Sequence, residues 1–264
     1  MKRLFVTLAL SLLLCIGLVA QTKELAKASV AYQQEQYQSA LRIYEDLGKT
    51  HGVSSDLFYN IANCHYRLGG KGKAVLYYEK ALVLDPANSD ARENLALVNT
   101  KIADKYSVDE INIISTIANR IVDWHSADSW AIISIVVLIL LLICVSLYIF
   151  VDIVWLRKVG FFAGILFAIF TLCSITLAFV QSSRTSKHSE AVVTQPQVTL
   201  STSPREPKTK SEEAFVLHEG TKVQILDSLE TTSTSDNGQK TIWLDVKADN
   251  SHRAWVKKTD VEVI

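Results

Sequence analysis

The chain has 264 residues, 27 basic and 27 acidic side chains, a formal net charge of zero and 49% hydrophobic residues. Balanced charge without a basic patch excludes an electrostatic footprint for nucleic acid, and the length allows one large domain or several small ones. The apolar residues are concentrated near Leu4–Val19, Trp130–Val151 and Phe161–Val180, so their distribution sets the architecture. Cys15 lies in the first of these blocks, Cys144 and Cys173 lie in the other two, and Cys64 stands alone; a disulfide framework is not expected.

Lys2 and Arg3 precede the apolar run Leu4–Val19, after which Ala20 and Gln21 open a polar stretch. This order predicts a secretory signal peptide over residues 1–20, cut after Ala20. Leu14 before Cys15 argues against a lipoprotein site. An uncleaved anchor helix is the competing reading, and either one puts residue 21 onward outside the cytoplasm.

Residues 21–105 contain an internal period. Ala28, Ala62 and Ala96 are spaced by 34, as are Ala40 and Ala74, Tyr44 and Tyr78, and Leu47 and Ala81. Small residues such as Ala62 and Ala74 let paired helices cross closely, and Pro86 disfavours helix at Asp85, so the second helix of the copy stops there. The pattern resembles the tetratricopeptide repeat, strongest from Ser55 through Phe58, Asn60, Ala62, Tyr66, Gly69, Ala74, Tyr78 and Ala81 to Pro86. The first copy has Glu24 where the family commonly has Trp and Glu35 where it commonly has Gly, but keeps Tyr37, Ala40, Leu41 and Tyr44. Ser89–Lys105 supplies one more helix, giving two repeats and a cap, a minimal array that needs outside support. The resemblance implies that Tyr59, Asn63, Tyr66 and Arg67 line a groove able to hold an extended peptide; the other reading makes them ordinary half-exposed helix residues. Tyr59 stands where carboxylate-clamping relatives place a basic side chain, which speaks against recognition of a C-terminal carboxylate.

Residues 106–128 read as an amphipathic connector, with Ile111, Ile114, Ala118, Ile121 and Val122 on one face. Such a helix serves either to cap the repeats or to lie on a membrane surface; its polar face is not basic. Residues 129–151 and 160–180 are free of charge and long enough to span a bilayer. The segment 152–159 between them carries Arg157 and Lys158 and reads as a cytoplasmic turn. Gly160 and Gly164 have the spacing that lets membrane helices approach closely.

Residues 181–190 read as a polar linker, followed over 191–264 by short β-type runs between Ser, Thr, Pro, Asp and Gly segments. The runs are Ala191–Val193, Gln197–Leu200, Ala214–Leu217, Lys222–Asp227, Ile242–Lys247 and Ala254–Lys257, with a closing Val261–Ile264. Val198–Pro204, His218–Val223, Trp243–Val246 and Ala254–Val256 resemble a bacterial SH3-like domain, with Ala254 where Gly is usual and a long Thr231–Gln239 loop. Trp243 and Trp255 are candidates for an aromatic binding face, or for packing within the barrel.

The histidines at 51, 65, 125, 188, 218 and 252 show no zinc-type spacing, and phosphate-loop and nucleophile-elbow motifs are missing. No catalytic residue, metal or cofactor is expected. The reading is a multidomain membrane protein: α-helical tetratricopeptide-repeat hairpins, a two-helix transmembrane hairpin and a small all-β SH3-like barrel.

This order of segments, with Trp155–Phe162 between the spans and Phe215–Val223 in the barrel, is similar to the BatE-like aerotolerance-operon proteins of Bacteroidetes and spirochaetes. The exported N-terminus followed by two spans makes this a two-pass protein of the inner (cytoplasmic) membrane, its repeats and barrel on the periplasmic side. The resemblance implies an envelope complex with von Willebrand A-domain membrane proteins, serving oxygen tolerance and stress survival, and with no catalytic motif the leading reading is a non-enzymatic scaffold within it. Besides membrane lipid, the alternative partner is peptidoglycan, bound through the SH3-like domain by an envelope sensor or tether.

Overall fold

The computed structural model describes residues 23–105, 120–185, 190–232 and 240–264. The expected signal peptide, residues 106–119 of the connector, 186–189 of the linker and most of the Thr231–Gln239 loop lie outside the described residues. The chain divides into two compact units, one joining the helices of 23–105 to the C-terminal sheet and the other containing the two apolar helices.

In the first unit the 34-residue period becomes paired helices. α1 (23–33) pairs with α2 (Tyr37–His51), α3 (Ser55–Arg67) with α4 (Lys71–Leu84), and α5 (Ser89–Asn99) follows. Ala28, Ala40, Ala62 and Ala74 are fully buried, as close helix crossing requires. Ser54 caps α3 by accepting a hydrogen bond from the Leu57 amide at 3.1 Å. α4 ends at Leu84, ahead of Asp85 and Pro86. Ala96, third in the alanine series, is exposed, because among the described residues α5 has no second helix of its own to cross; it buries Ala91, Leu95 and Val98 instead.

The turn between the helices of each repeat requires a left-handed residue. Gly69 fills that place in the second copy with φ +88°, and Glu35, 34 positions earlier, takes φ +62° in the first. A side chain in this region is disfavoured by the contact of Cβ with the following carbonyl.

The sheet is antiparallel and seven-stranded: β1 (Glu190–Val193), β2 (Gln197–Ser201), β3 (Glu213–His218), β4 (Lys222–Thr232), β5 (Lys240–Lys247), β6 (Arg253–Lys257) and β7 (Val261–Val263), in the order β3-β2-β6-β5-β4-β1-β7. The expectation of a barrel is corrected here: the sheet is open, with β3 and the three-residue β7 at its edges. β4 and β5 form a long hairpin with a register shift between Ile225 and Asp227, which bends and twists it. Leu200, Leu217, Val246 and Val256 centre the sheet's core.

The second unit pairs α6 (Ala127–Phe150) with α7 (Val154–Thr185). Both are long and apolar enough to cross a membrane. α7 begins at Val154, inside the segment read as a turn, so Arg157 and Lys158 lie in its first turns. Nothing from Val154 to Val159 breaks a helix, and Arg157 reaches Asp152 at 3.7 Å. The small-residue spacing meets its partner: a Cβ at Gly160 would lie 3.0 Å from the Cys144 carbonyl oxygen, and one at Gly164 3.7 Å from Cys144 Cβ. Ser134 donates to Ser174 at 2.9 Å within the same seam.

Replacing Glu35 by Gly removes the left-handed strain at the loss of one exposed ion pair with Arg67, 4.0 Å away. The Glu35→Gly protein is expected to gain about 1 kcal/mol in stability, read as a higher thermal midpoint of the detergent-solubilised chain.

Candidate functional site

Tyr59, Asn63, Tyr66 and Arg67 recur along α3 at the spacing that puts residues on one helix face. The first three are half-buried and Arg67 is exposed. They belong to one polar seam with α5 and the segment after it. Asn63 Oδ1 accepts hydrogen bonds from the Tyr78 hydroxyl and from Asn94 Nδ2, the latter at 3.1 Å. Asn94 Nδ2 also lies 3.4 Å from Tyr59 Oη. Lys101 donates to the Tyr66 hydroxyl, with its ammonium 5.0 Å from the ring centroid. Arg67 stacks its guanidinium 4.6 Å over the Tyr37 ring. Asn63 thus has a structural duty, since it satisfies the hydroxyl of Tyr78, a residue only 1% exposed. Burial pushes the Tyr78 phenol's pKa upward.

Trp243 faces Lys257 across β5 and β6, and Asp245 faces Trp255. Leu244, Val246, Ala254 and Val256 point into the sheet core, so the period of two puts both tryptophans on the opposite face. They differ there: Trp243 is 5% exposed and Trp255 is half-buried. Lys257 Nζ lies 5.9 Å from the centroid of the Trp243 ring. Beside Trp255, Asp245 takes a two-pronged hydrogen bond from Arg253, at 3.1 and 2.5 Å.

The structure also brings together residues that were not singled out in the sequence. β1 is buried on both faces, with Ala191 and Val193 in the sheet core and Val192 in the helical core with Val75, Leu76 and Ile102. α4 has two apolar stripes. Ala74, Tyr78 and Ala81 belong to the repeat core, while Gly72, Val75 and Glu79 meet the sheet. A Cβ at Gly72 would lie 2.9 Å from the Val193 carbonyl oxygen, and one at Gly220 2.7 Å from Ile102 Cδ1, so both glycines mark close approach. Polar contacts frame this apolar joint. Asp104 accepts from the His218 amide at 2.7 Å, lies 2.8 Å from His218 Nδ1, and accepts from the Thr221 hydroxyl at 2.6 Å. Lys222 bridges Glu79 at 3.1 Å and Glu190 at 2.8 Å; desolvation lowers its pKa and the two carboxylates more than restore it. Lys73 pairs with Glu262.

A sequence signal for this joint existed in α4, whose run Ala74-Val75-Leu76-Tyr77-Tyr78 is apolar around the helix rather than along one stripe. Asp104 carried none, because a single acid after a helix is indistinguishable from a solvated one.

Among the described residues no group of three or more His, Cys, Asp or Glu side chains converges as metal ligands do. Burial pushes the Cys64 thiol up to about 12 and lowers His65 to about 4, so neither offers a reactive group at neutral pH. Residues 55–88 match the tetratricopeptide repeat family. No curated protein matches the chain. The matched repeat is a non-catalytic interaction fold, and it points to protein partners.

Burial pushes the Asp104 carboxyl upward, but hydrogen bonds from Thr221 and His218 outweigh it and hold its pKa below the usual value. Its stabilisation is therefore complete above about pH 4, the unfolded value, and is lost as pH falls through the folded one. Asp104→Asn is expected to cost about 1–3 kcal/mol at neutral pH, with the gap to the wild type narrowing under acid. Urea unfolding of both proteins across that range measures it.

Proposed function

We propose that the chain is a membrane-anchored scaffold of the bacterial cell envelope, in which the repeat groove and the sheet recruit protein partners and the apolar hairpin holds both at the bilayer. The observation that carries this reading is the position of the joint. The sheet packs on the Gly72–Val75–Glu79 face of α4, while Tyr59, Asn63 and Tyr66 of α3 find their partners in Tyr78, α5 and Lys101, so docking of the sheet does not consume them.

Membrane insertion is supported by the surface of the helix pair. Each apolar window is only 11% buried, where a soluble core helix would be mostly covered. Exposed tryptophans stand at both ends, Trp124 (69%) ahead of α6 and Trp155 (70%) at the start of α7, as in interfacial aromatic belts. Two crossings between residues 105 and 190 leave repeats and sheet in one compartment, which agrees with their folding as one unit. On the resemblance to the aerotolerance-operon proteins, that compartment is the periplasm, the sheet is an SH3-like domain, and the partners are von Willebrand A-domain membrane proteins. No reaction is assigned to the chain.

Single cysteines at three exposed positions test the topology. In cells with a permeabilised outer envelope, Asp46→Cys and Lys258→Cys are expected to react with a membrane-impermeant maleimide, and Lys158→Cys only after lysis. Labelling of 46 and 258 from opposite sides would rule the scaffold out. Cys64, fully buried and with its thiol pKa pushed up to about 12, contributes no background, and the exposed Cys173 is replaced by Ser in all three variants.

Partner capture tests the function. A photo-crosslinking residue at position 59, in native membranes, is expected to trap A-domain membrane proteins in the groove. If position 59 traps no protein while the chain is retained on purified sacculi and released by Trp255→Ala, the wall-binding alternative replaces the scaffold.

A further inference from the structure

Between the segment that leaves α5 and the β1–β4 part of the sheet lies a cleft of about 670 Å³, with Val75, Ile102 and Val223 in its apolar lining. Its polar lining carries both signs of charge. Lys222 holds Oε2 of Glu79 at 3.1 Å and Oε2 of Glu190 at 2.8 Å, which leaves Oε1 of each carboxylate and one ammonium hydrogen without a partner among the described residues. Lys105 donates to the Asn99 carbonyl, and Lys247 adds a third ammonium to the lining. The two aspartates present are already spent, Asp104 on His218 and Thr221, and Asp249 on the Ser251 and His252 amides of its own turn. Cationic donors and carboxylate acceptors therefore stand open side by side. A polyanion meets the acids and a polycation meets the lysines, whereas a compact zwitterion satisfies both.

The chain leaves the first unit and returns to it at this cleft, since Lys105 closes the repeat region and Glu190 opens β1. Only residues 186–189 separate the end of α7 from Glu190, so chain length alone keeps that carboxylate within about 18 Å of the helix end. A spanning helix ends in the headgroup layer. Phospholipid headgroups are thus within reach of the lining.

We propose that this cleft binds the headgroup of a bilayer aminophospholipid, a phosphodiester that carries a primary ammonium. This rests on the reading of α6 and α7 as membrane spans. Lys105 and the open N–H of Lys222 donate to the phosphodiester, and Oε1 of Glu79 and Glu190 accepts from the ammonium. A quaternary ammonium has no hydrogen to donate and a glycerol headgroup has no positive charge, so the carboxylates select the primary amine against both. A headgroup held from Lys105 on one side to Glu190 and Lys222 on the other bridges the repeats and the sheet, and so clamps the joint where the chain enters the membrane.

The test places a photo-crosslinking residue at Gln224, an exposed position of the lining, in the full-length chain. The nanodiscs contain equal parts of phosphatidylethanolamine, phosphatidylcholine and phosphatidylglycerol, and the captured lipid is read by mass. Position 224 is expected to capture the ethanolamine lipid about tenfold over each of the others, as one charge-assisted hydrogen bond allows. The same residue at Leu142, 58% exposed on α6, is expected to capture all three alike. No lipid at 142 overturns membrane insertion and the proposal with it, whereas lipid at 142 and none at 224 overturns the proposal alone. Lys105→Glu, a change at an exposed side chain, should remove the ethanolamine excess, while Lys258→Glu, the same charge change at an exposed site outside the cleft, should leave it intact. Glu190→Gln should bring the ethanolamine and choline lipids to equal capture. Preference for phosphatidylglycerol, equal capture of the three lipids by the wild type at 224, or an equal response to the two lysine changes overturns the proposal. Competition by equimolar glycerophosphoethanolamine would reassign the cleft to a soluble ligand and overturn the bilayer as its source.

Discussion

One strand with two buried faces ties the first unit together. A half-exposed strand alternates apolar and polar residues, but Ala191, Val192 and Val193 are all fully buried, because odd positions face the sheet core and Val192 faces the helices. Burying a valine of this kind is worth about 1.5–3 kcal/mol. Its value here is greater than its area, since it requires α4 to approach within backbone distance. That approach is possible only because position 72 has no side chain to strike the Val193 carbonyl. Around this contact the Gly220 turn fits under Ile102, and Asp104 supplies acceptors for an amide and a hydroxyl that docking takes out of water. The ion pairs at the rim set orientation more than stability, as exposed pairs do.

The same contact explains how a very short repeat array survives. Each repeat leaves one face uncovered, and two repeats with a single further helix expose apolar surface at their end. α5 covers part of α3, and the sheet covers α4, so the repeat core continues into Val192 and Ile264 rather than ending in solvent. The segment that leaves α5 serves both sides. Lys101 touches Tyr66 in the α3–α5 seam, the next residue is Ile102 under Gly220, and Asp104 holds the turn at His218–Thr221. Seam and joint are thus adjacent along the backbone, which gives a physical route for coupling between them.

Local pattern was legible in the sequence wherever one element decides its own structure. The 34-residue period marks all five repeat-region helices through their alanines and tyrosines, Pro86 marks the end of α4, and the strand runs lie close to the observed strands, except that β4 continues five residues beyond Asp227. The observed sheet differs by remaining open, and alternation along strands cannot reveal closure, which depends on how edges meet. Ala96 followed the period and is nevertheless exposed, because periodicity reports the ancestry of a helix and not whether its partner follows. The helix of the second span likewise begins at Val154, ahead of the charge-free stretch, because Arg157 and Lys158 are compatible with the first turns of a helix. Asn63 and Tyr66 are legible singly in the repeat pattern, while their linkage through Asn94 and Lys101 spans more than thirty residues and leaves no trace in spacing.

The discontinuity of the unit also constrains how it forms. During synthesis the helices of 23–105 emerge first and lack their cover, since the strand that completes their core begins at Glu190. Between the two halves lie α6 and α7, and closing so long a loop costs entropy that grows only slowly with length. If those helices pair as an inserted hairpin, as proposed, their own contacts remove most of that loop's freedom before the sheet arrives. The small-residue seam of Cys144, Gly160 and Gly164 and the Ser134–Ser174 hydrogen bond then do more than hold two helices together. By fixing the hairpin they shorten the effective connection between the repeats and the sheet, so packing within the bilayer favours docking outside it. On this account the two units are thermodynamically linked through the chain, and weakening the seam is felt at the joint.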